Sequence, residues 1–481
     1  MKLNGSYEHD IKLMENLTAG DPTVKLRDFE GRYNPEIRCR IFFSDGMVSS
    51  QLLSDGILEP IINFRGELPR DEILDYMALA VLELPEVRRS VDSGDMAEAL
   101  NYGDVLLFAD GQPGALIIGC KNFTYRGISE PEEEKVARGP REGFTEPIMI
   151  NISMLKRRLR THKLRIDMVT VGERTSTACG VISLDGVTDE KLVRQVKELV
   201  EKIEIDGILS SNYISELIDP APFGFFRRIG STARPDVAAA KLLEGRVLIM
   251  VDGSPQVLTL PFVFLEHFQS PEDYYVTWHH AAFSRALRMA AFALSITLVP
   301  VYVAVLNYHP GTFPTMMIMN IVALQQATPF SALTEAVLLL IAFDLLREAG
   351  LRTPASVGQT LSIVGALILG QSAVEANIVS PSMLIVVALS GVTGLIINDL
   401  RNQVVLIRFM LLAFGAAAGL WGIAAGITMV LGRMAEIGSF GADYLTGMPL
   451  SAQGSHEDSL FRTPISRMKK SGRFMARRDR P

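Results

Sequence analysis

The chain has 481 residues, 48% of them apolar, and 54 acidic against 47 basic residues give a net charge of −7. That length suits two to four domains. Three cysteines, Cys39, Cys120 and Cys179, none in a CxxC pair, exclude a disulfide framework and fit a reducing, cytoplasmic setting.

The N-terminal MKLNGSYEHDIKLMENL lacks the apolar core of a signal peptide. The soluble region is therefore expected to stay on the side where it is made. Two stretches of this region read alike. RCRIFFSDGMV, from Arg38, and TACGVISLDGV, from Thr177, are β-rich runs with Cys39 before Asp45-Gly46 and Cys179 before Asp185-Gly186. A helical segment follows each: ILDYMALAVLEL in the first, and DEKLVRQVKELVEKI in the second, with Leu192, Val196, Leu199, Val200 and Ile203 at helical spacing. Each unit then closes with strand, DGxP turn, strand: DVLLFADGQPGALII around Asp110 and RVLIMVDGSPQVLTLP around Asp252. The Asp-Gly separations match, 65 residues from Asp45 to Asp110 and 67 from Asp185 to Asp252. Two tandem, similar α+β subdomains are expected, over 1–130 and 165–265.

Between them, 131–164 begins as an acidic loop and becomes a basic amphipathic helix. Its most distinctive string is Arg138-Gly139-Pro140-Arg141-Glu142-Gly143-Phe144, where Gly and Pro set turns. Arg138 and Arg141 suit either an anion site or an interdomain contact pinned by salt bridges.

A juxtamembrane segment, 266–285, carries Tyr274, Tyr275 and Trp278, then Arg285 just ahead of Arg288: an aromatic belt followed by an inside-facing charge cluster. Everything apolar enough to enter a bilayer lies in 286–432, expected to be a multi-span helical membrane domain. Ala286 to Tyr308 is a full span; Thr315 to Thr328 is too short and polar; Phe330 to Leu346, Pro354 to Glu375, Ser380 to Asn398 and Phe409 to Leu431 follow. Five crossings leave the tail, 433–481, outside, although Arg462 to Pro481 holds eight basic residues and one acidic and belongs inside by charge; either one segment is a hairpin or interfacial, or Met316–Ala327 also crosses, and both termini are expected inside. The tail is not a DNA-binding arm, because no nucleic-acid module accompanies it.

Carboxylates at membrane depth face a partner or a water-filled path. Glu348 and Asp399 sit by arginines at helix ends, and Asp344 is one turn from Arg347. Glu335 and Glu375 are deeper, with no basic residue within a turn, and Gln371 shares a helix face with Glu375. These three are the candidates for a cation path, with interhelical hydrogen bonding as the alternative. Gly415, Gly419, Gly422 and Gly426 lie on one helix face and form two GxxxG patterns. They permit close packing within a subunit or between subunits.

No P-loop, HExxH, GxSxG or paired His/Cys spacing is present, so an enzyme, a metal site or a cofactor is not expected. A transporter ranks last, since the membrane block shows no inverted repeat.

Several strings in order, RGPREGFTE at 138, ARPDVAAAKLLEGRVLIMVDGSPQVLTLPFVF at 233, FQSPEDYY at 268, PFSALTEAVLLLIAFDLLREAGLRTP at 329 and GALILGQSAVEANIVSPSMLIVVALS at 365, resemble the GerA family of spore germination proteins. The likeness covers most of 30–435 and is to the A subunit of a nutrient germinant receptor. It implies a multi-pass protein of the spore inner membrane, its N-terminal domain in the spore core. It also implies partnership with a transporter-like B subunit and a lipoprotein C subunit, contact with membrane lipid, and self-association into a ligand-gated cation channel. A SpoVAF-like paralogue, a germination channel or amplifier, shares the architecture, and a non-conducting scaffold is the further alternative.

Overall fold

The computed structural model describes residues 7–447 except 19, 20, 22, 46, 67, 68, 70, 71, 123–126, 132, 133, 221–223, 313 and 353–369, and then residues 458 and 461–464. The chain divides into two compact units, 1–125 and 126–481.

In the first unit, strands β1 (Val24–Glu30), β2 (Arg38–Ser44), β3 (Val87–Ser90), β4 (Val105–Ala109) and β5 (Ala115–Ile118) form one antiparallel sheet in the order β1-β2-β4-β5-β3. Side chains alternate between its faces. Cys39, Ile41, Leu107 and Leu116 pack with helical residues 50–62 and 73–81. Phe42, Leu106, Phe108 and Ile117 pack on the other side with helices Tyr7–Thr18 and Ser93–Asn101. Because helices cover both faces, β4 is apolar and buried at every position.

The second unit contains strands β6 (Leu164–Val171), β7 (Thr177–Leu184), β8 (Gly230–Thr232), β9 (Val247–Val251) and β10 (Val257–Leu260), in the order β6-β7-β9-β10-β8. On one face, Cys179, Val181, Ile249 and Leu258 meet helices Glu190–Glu201 and Ser211–Ile218. On the other, Ile182, Leu248 and Met250 meet helices Ile148–Arg158 and Pro235–Leu243. Cys39 stands opposite Ala109 in the first sheet, and Cys179 opposite Val251 in the second. Both thiols are buried, and dehydration pushes each up to about 12.

The second sheet is tied to the chain beyond it by a buried ion cluster. Arg246, at the head of β9, donates to the Pro261 carbonyl at 2.8 Å and to Glu266 Oε1 at 2.5 Å. Lys241 reaches Glu266 Oε2 at 2.7 Å, and the Val263 amide donates to Oε1 at 2.8 Å. Burial by itself pushes the Glu266 carboxyl up, but Arg246 and Lys241 outweigh it and hold the group down to about 2 against an ordinary 4.5.

Among the described residues, two helices are long and apolar enough to cross a membrane, Trp278–Tyr308 and Arg401–Glu436. Between them lie Thr315–Gln326, Ala332–Arg352 and the 15-residue apolar helix Pro381–Leu395. The expected segment from Pro354 falls largely outside the described residues, as does the basic tail except for Arg462 and its neighbours. One expectation changes: Phe409 to Leu431 is not a single straight span. The helix breaks at Ala418 (φ −137°, ψ 17°) and Gly419 (φ 62°, ψ −142°). A Cβ built on Gly426 would lie 2.7 Å from Leu411 Cδ2, and one on Gly422 would lie 2.0 Å from the Phe414 carbonyl oxygen. In a straight helix, residues 411 and 426 would be about 22 Å apart. The segment is therefore a hairpin of two antiparallel helical arms. Tyr308 closes its tip, donating to the Ala416 and Ala417 carbonyls at 2.7 and 3.0 Å.

Gly422→Ala should cost about 1–3 kcal/mol by overpacking backbone, whereas Gly432→Ala, with open space around its Cβ, should be neutral or mildly stabilising. Melting of the detergent-solubilised chain compares them, and equal midpoints would contradict the hairpin contact. For the ion cluster, a carboxyl held low stabilises the fold above its unfolded pKa, and that contribution is lost as pH falls towards the folded value. Glu266→Gln should cost about 3 kcal/mol at neutral pH by leaving buried cations unpaired. The gap to wild type should close as pH drops from about 4.5 towards 2; a gap independent of pH would show that the pairing is not responsible.

Candidate functional site: buried polar groups of the helical region

In the helical region buried polar groups are few, and Glu335, Arg285 and Arg408 each have partners on other elements. Glu335, in the first turn of Ala332–Arg352, is 0% exposed. Its Oε1 accepts from Thr328 Oγ1 at 2.6 Å, and its Oε2 from Ser380 Oγ at 2.8 Å and the Ser380 amide at 3.2 Å. Ser380 is the N-cap position of Pro381–Leu395, so one carboxylate joins the ends of two helices and the preceding turn. Around it Val299, Val303, Ala336, Leu340, Met383 and Val387 form an apolar core.

Glu375 is placed differently. It is exposed, and its Oε1 accepts from Gln371 Nε2 at 2.9 Å, as their four-residue spacing suggested. The two deep carboxylates are therefore unlike: one braces helices inside the chain, and the other lies on its surface. Of the remaining acids, Glu348 pairs with Arg352 in the open. Asp344 sits between Arg408 at 3.0 Å and Arg347 at 3.2 Å. Arg408 is 2% exposed and belongs to the first arm of the hairpin, not to a loop.

Where the soluble and helical parts of the second unit join, Arg285 is fully buried. It donates to Asp273 Oδ2 at 3.4 Å, to Asp458 Oδ1 at 3.0 Å and to the Asp458 carbonyl at 3.1 Å. Arg288 also pairs with Asp273. Asp458 accepts further from Tyr274 Oη at 2.5 Å and Gln269 Nε2 at 3.2 Å. Burial first, and then the Asp458 charge, push the Tyr274 hydroxyl well up. Arg462 lies over the Tyr274 ring and donates to the Val276 carbonyl at 3.0 Å. Asp458 and Arg462 of the tail are thus bound against the start of the first apolar helix. Sequence reading took Arg285 and Arg288 for a positive-inside signal and missed the clasp; no local pattern points across the 173 positions from Arg285 to Asp458.

The glycines face the opposite hairpin arm or its cap: Gly415 meets Ile423, Gly419 meets Tyr308, Gly422 meets Phe414, and Gly426 meets Leu411. Arg138 and Arg141 are exposed, and no described residue pairs with them, while the adjacent Glu142 takes Arg157 at 2.5 Å and Arg158 at 2.8 Å. Among the described residues, no group of three His, Cys, Asp or Glu is placed to hold a metal ion.

The family model described as Bacillus/Clostridium GerA spore germination protein matches residues 12–474. Spore germination protein KA of Bacillus subtilis (strain 168) is 35% identical over 465 residues, covering 96% of this chain and 85% of that protein. Uncharacterized membrane protein YfkQ of the same strain is 33% identical over 466 residues, covering 96% and 90%. The crystal structure of the N-terminal domain of the A subunit of the Bacillus megaterium spore germinant receptor GerK3 is 26% identical, covers 55% of this chain and 98% of its own, and superposes with a TM-score of 0.23. With a match that runs through both sheets and the helical region, the chain belongs to the GerA family of spore germination proteins.

Proposed function

We propose that this protein is the A-type subunit of a nutrient germinant receptor in the spore inner membrane, acting without catalysis alongside a transporter-like B subunit and a lipoprotein C subunit. The observation that carries this reading is the extent of its likeness to spore germination protein KA, 96% of the chain, helical region included. On this reading copies self-associate and the helical region conducts cations. Glu375 and Gln371, exposed on the single chain, line the path, and Glu335 contributes to it when its brace to Thr328 and Ser380 opens. The hairpin favours such a topology. Two arms in place of one span turn five crossings into six and bring the basic tail back to the cytoplasmic side, as its charge requires. In this arrangement 286–432 is a multi-pass domain and the N-terminal region occupies the spore core.

The two sheets support a second part of the proposal, that 1–130 and 165–265 are tandem subdomains descended by duplication and joined by 131–164. Both have the strand order outer, second, fourth, fifth, third, and both place their Cys on the second strand. A SpoVAF-like amplifier of germination is the alternative with the same architecture, and a scaffold whose partners conduct is the other.

Glu375→Gln should slow nutrient-triggered release of monovalent cations from spores about tenfold, equivalent to about 1.4 kcal/mol on the barrier, with unchanged protein in the membrane fraction. Glu335→Gln should slow it too. Normal release from spores carrying both substitutions at wild-type protein levels would leave conduction to a partner and favour the scaffold.

A further inference from the structure

The Arg138-Gly139-Pro140-Arg141 loop is held in a fixed shape at a defined place. Arg234, fully buried, donates to the Pro140 carbonyl at 2.7 Å and the Glu134 carbonyl at 3.2 Å, and pairs with Asp236 at 2.9 Å. Gly139 has φ +131°, and a Cβ there would stand 2.6 Å from the Tyr275 ring. Tyr275 donates in turn to Asp236 at 2.6 Å. The loop is therefore seated on Tyr275, three residues before Trp278 opens the first apolar helix. Beyond Trp278, Phe283 is 66% and Leu287 51% exposed, as lipid-facing positions are. Tyr275 and Trp278 are themselves exposed, in the pattern of an aromatic belt at the headgroup level.

The carboxylates beside the loop are already taken: Glu142 by Arg157 and Arg158, and Asp236 by Arg234 and Tyr275. Arg138 and Arg141 point no charge at any described partner and stay in solvent. Guanidinium groups bind phosphate oxygens in paired hydrogen bonds, and the headgroup layer is where phosphates are concentrated.

We propose that Arg138 and Arg141 form a binding site for the phosphate of an acidic phospholipid headgroup, with Arg157 and Arg158 adding to the local positive potential. This site is independent of whether the helical region conducts. It gives the RGPREG loop a ligand of its own and fixes the height of the soluble region above the bilayer.

The chain has two tryptophans, so Trp421→Phe leaves Trp278 as the sole indole reporter beside the loop. The full-length protein in neutral detergent is titrated with short-chain phosphatidylglycerol, with phosphatidylcholine and with inorganic phosphate, following Trp278 emission. Phosphatidylglycerol should give a saturable shift that phosphatidylcholine does not. Arg138→Gln with Arg141→Gln should weaken it about 30-fold, as expected for two cations at about 1 kcal/mol each. Arg138→Lys with Arg141→Lys, which keeps the charge but loses the paired hydrogen bonds, should fall between wild type and the Gln pair, and elution as a single species checks that each variant is folded. Equal responses to both lipids, or an undiminished response in the Gln pair, would overturn the proposal. Saturation by inorganic phosphate at the same concentration as the lipid would also overturn it, assigning the site to a free anion.

Discussion

A guanidinium withdrawn from water must have its charge met, and this requirement organises the second unit. Arg246, Arg285 and Arg408 are almost completely buried, and each binds a carboxylate from another element. Arg246 locks the sheet to the Phe264–Phe268 turn, Arg285 locks the first apolar helix to that juncture and to the tail, and Arg408 locks a hairpin arm to Ala332–Arg352. Replacing such pairs with apolar groups is often tolerated, but removing one partner alone is costly. The ion pairs therefore act less as a source of stability than as a specification of which elements meet.

The helical region adds a second constraint, close backbone packing. Small residues let the arms of the hairpin approach until a single methyl group would collide with a carbonyl. Tyr308, at the end of the first apolar helix, meets the carbonyls left free where the hairpin turns. The tip of one element is thus completed by the end of another. Glu335 repeats this logic at the turn between Thr328 and Ser380, where an amide at a helix start is satisfied by a side chain distant in sequence.

Local pattern made much of the soluble fold legible. The DGxP turns fall between β4 and β5 and between β9 and β10, and Leu192, Val196 and Val200 form the buried face of their helix. The first apolar helix and the Gln371–Glu375 pair were also readable, because each rests on spacing within a few turns. The charge of the tail called for a hairpin, an interfacial segment or an added crossing, but not for a hairpin at this place, since a reversal at one glycine leaves the composition of a straight span unchanged. Glu335 was visible as an awkward carboxylate, but its partners lie seven residues before and 45 after it. For Arg138 and Arg141 the sequence left two readings open, because only the position of Tyr275 places the loop beside the start of the first apolar helix.

The outer strands of the two sheets carry a consequence for assembly. β1 ends one side of its sheet and presents Lys25, Arg27, Asp28 and Glu30 to solvent, and β6 ends the other sheet with Arg165 and Asp167 along its length. Charges of both signs on an edge strand obstruct the strand-to-strand pairing that leads to uncontrolled polymerisation. The backbone of these two outer strands is thus guarded against edge-to-edge pairing, so any contact made along them has to run through side chains.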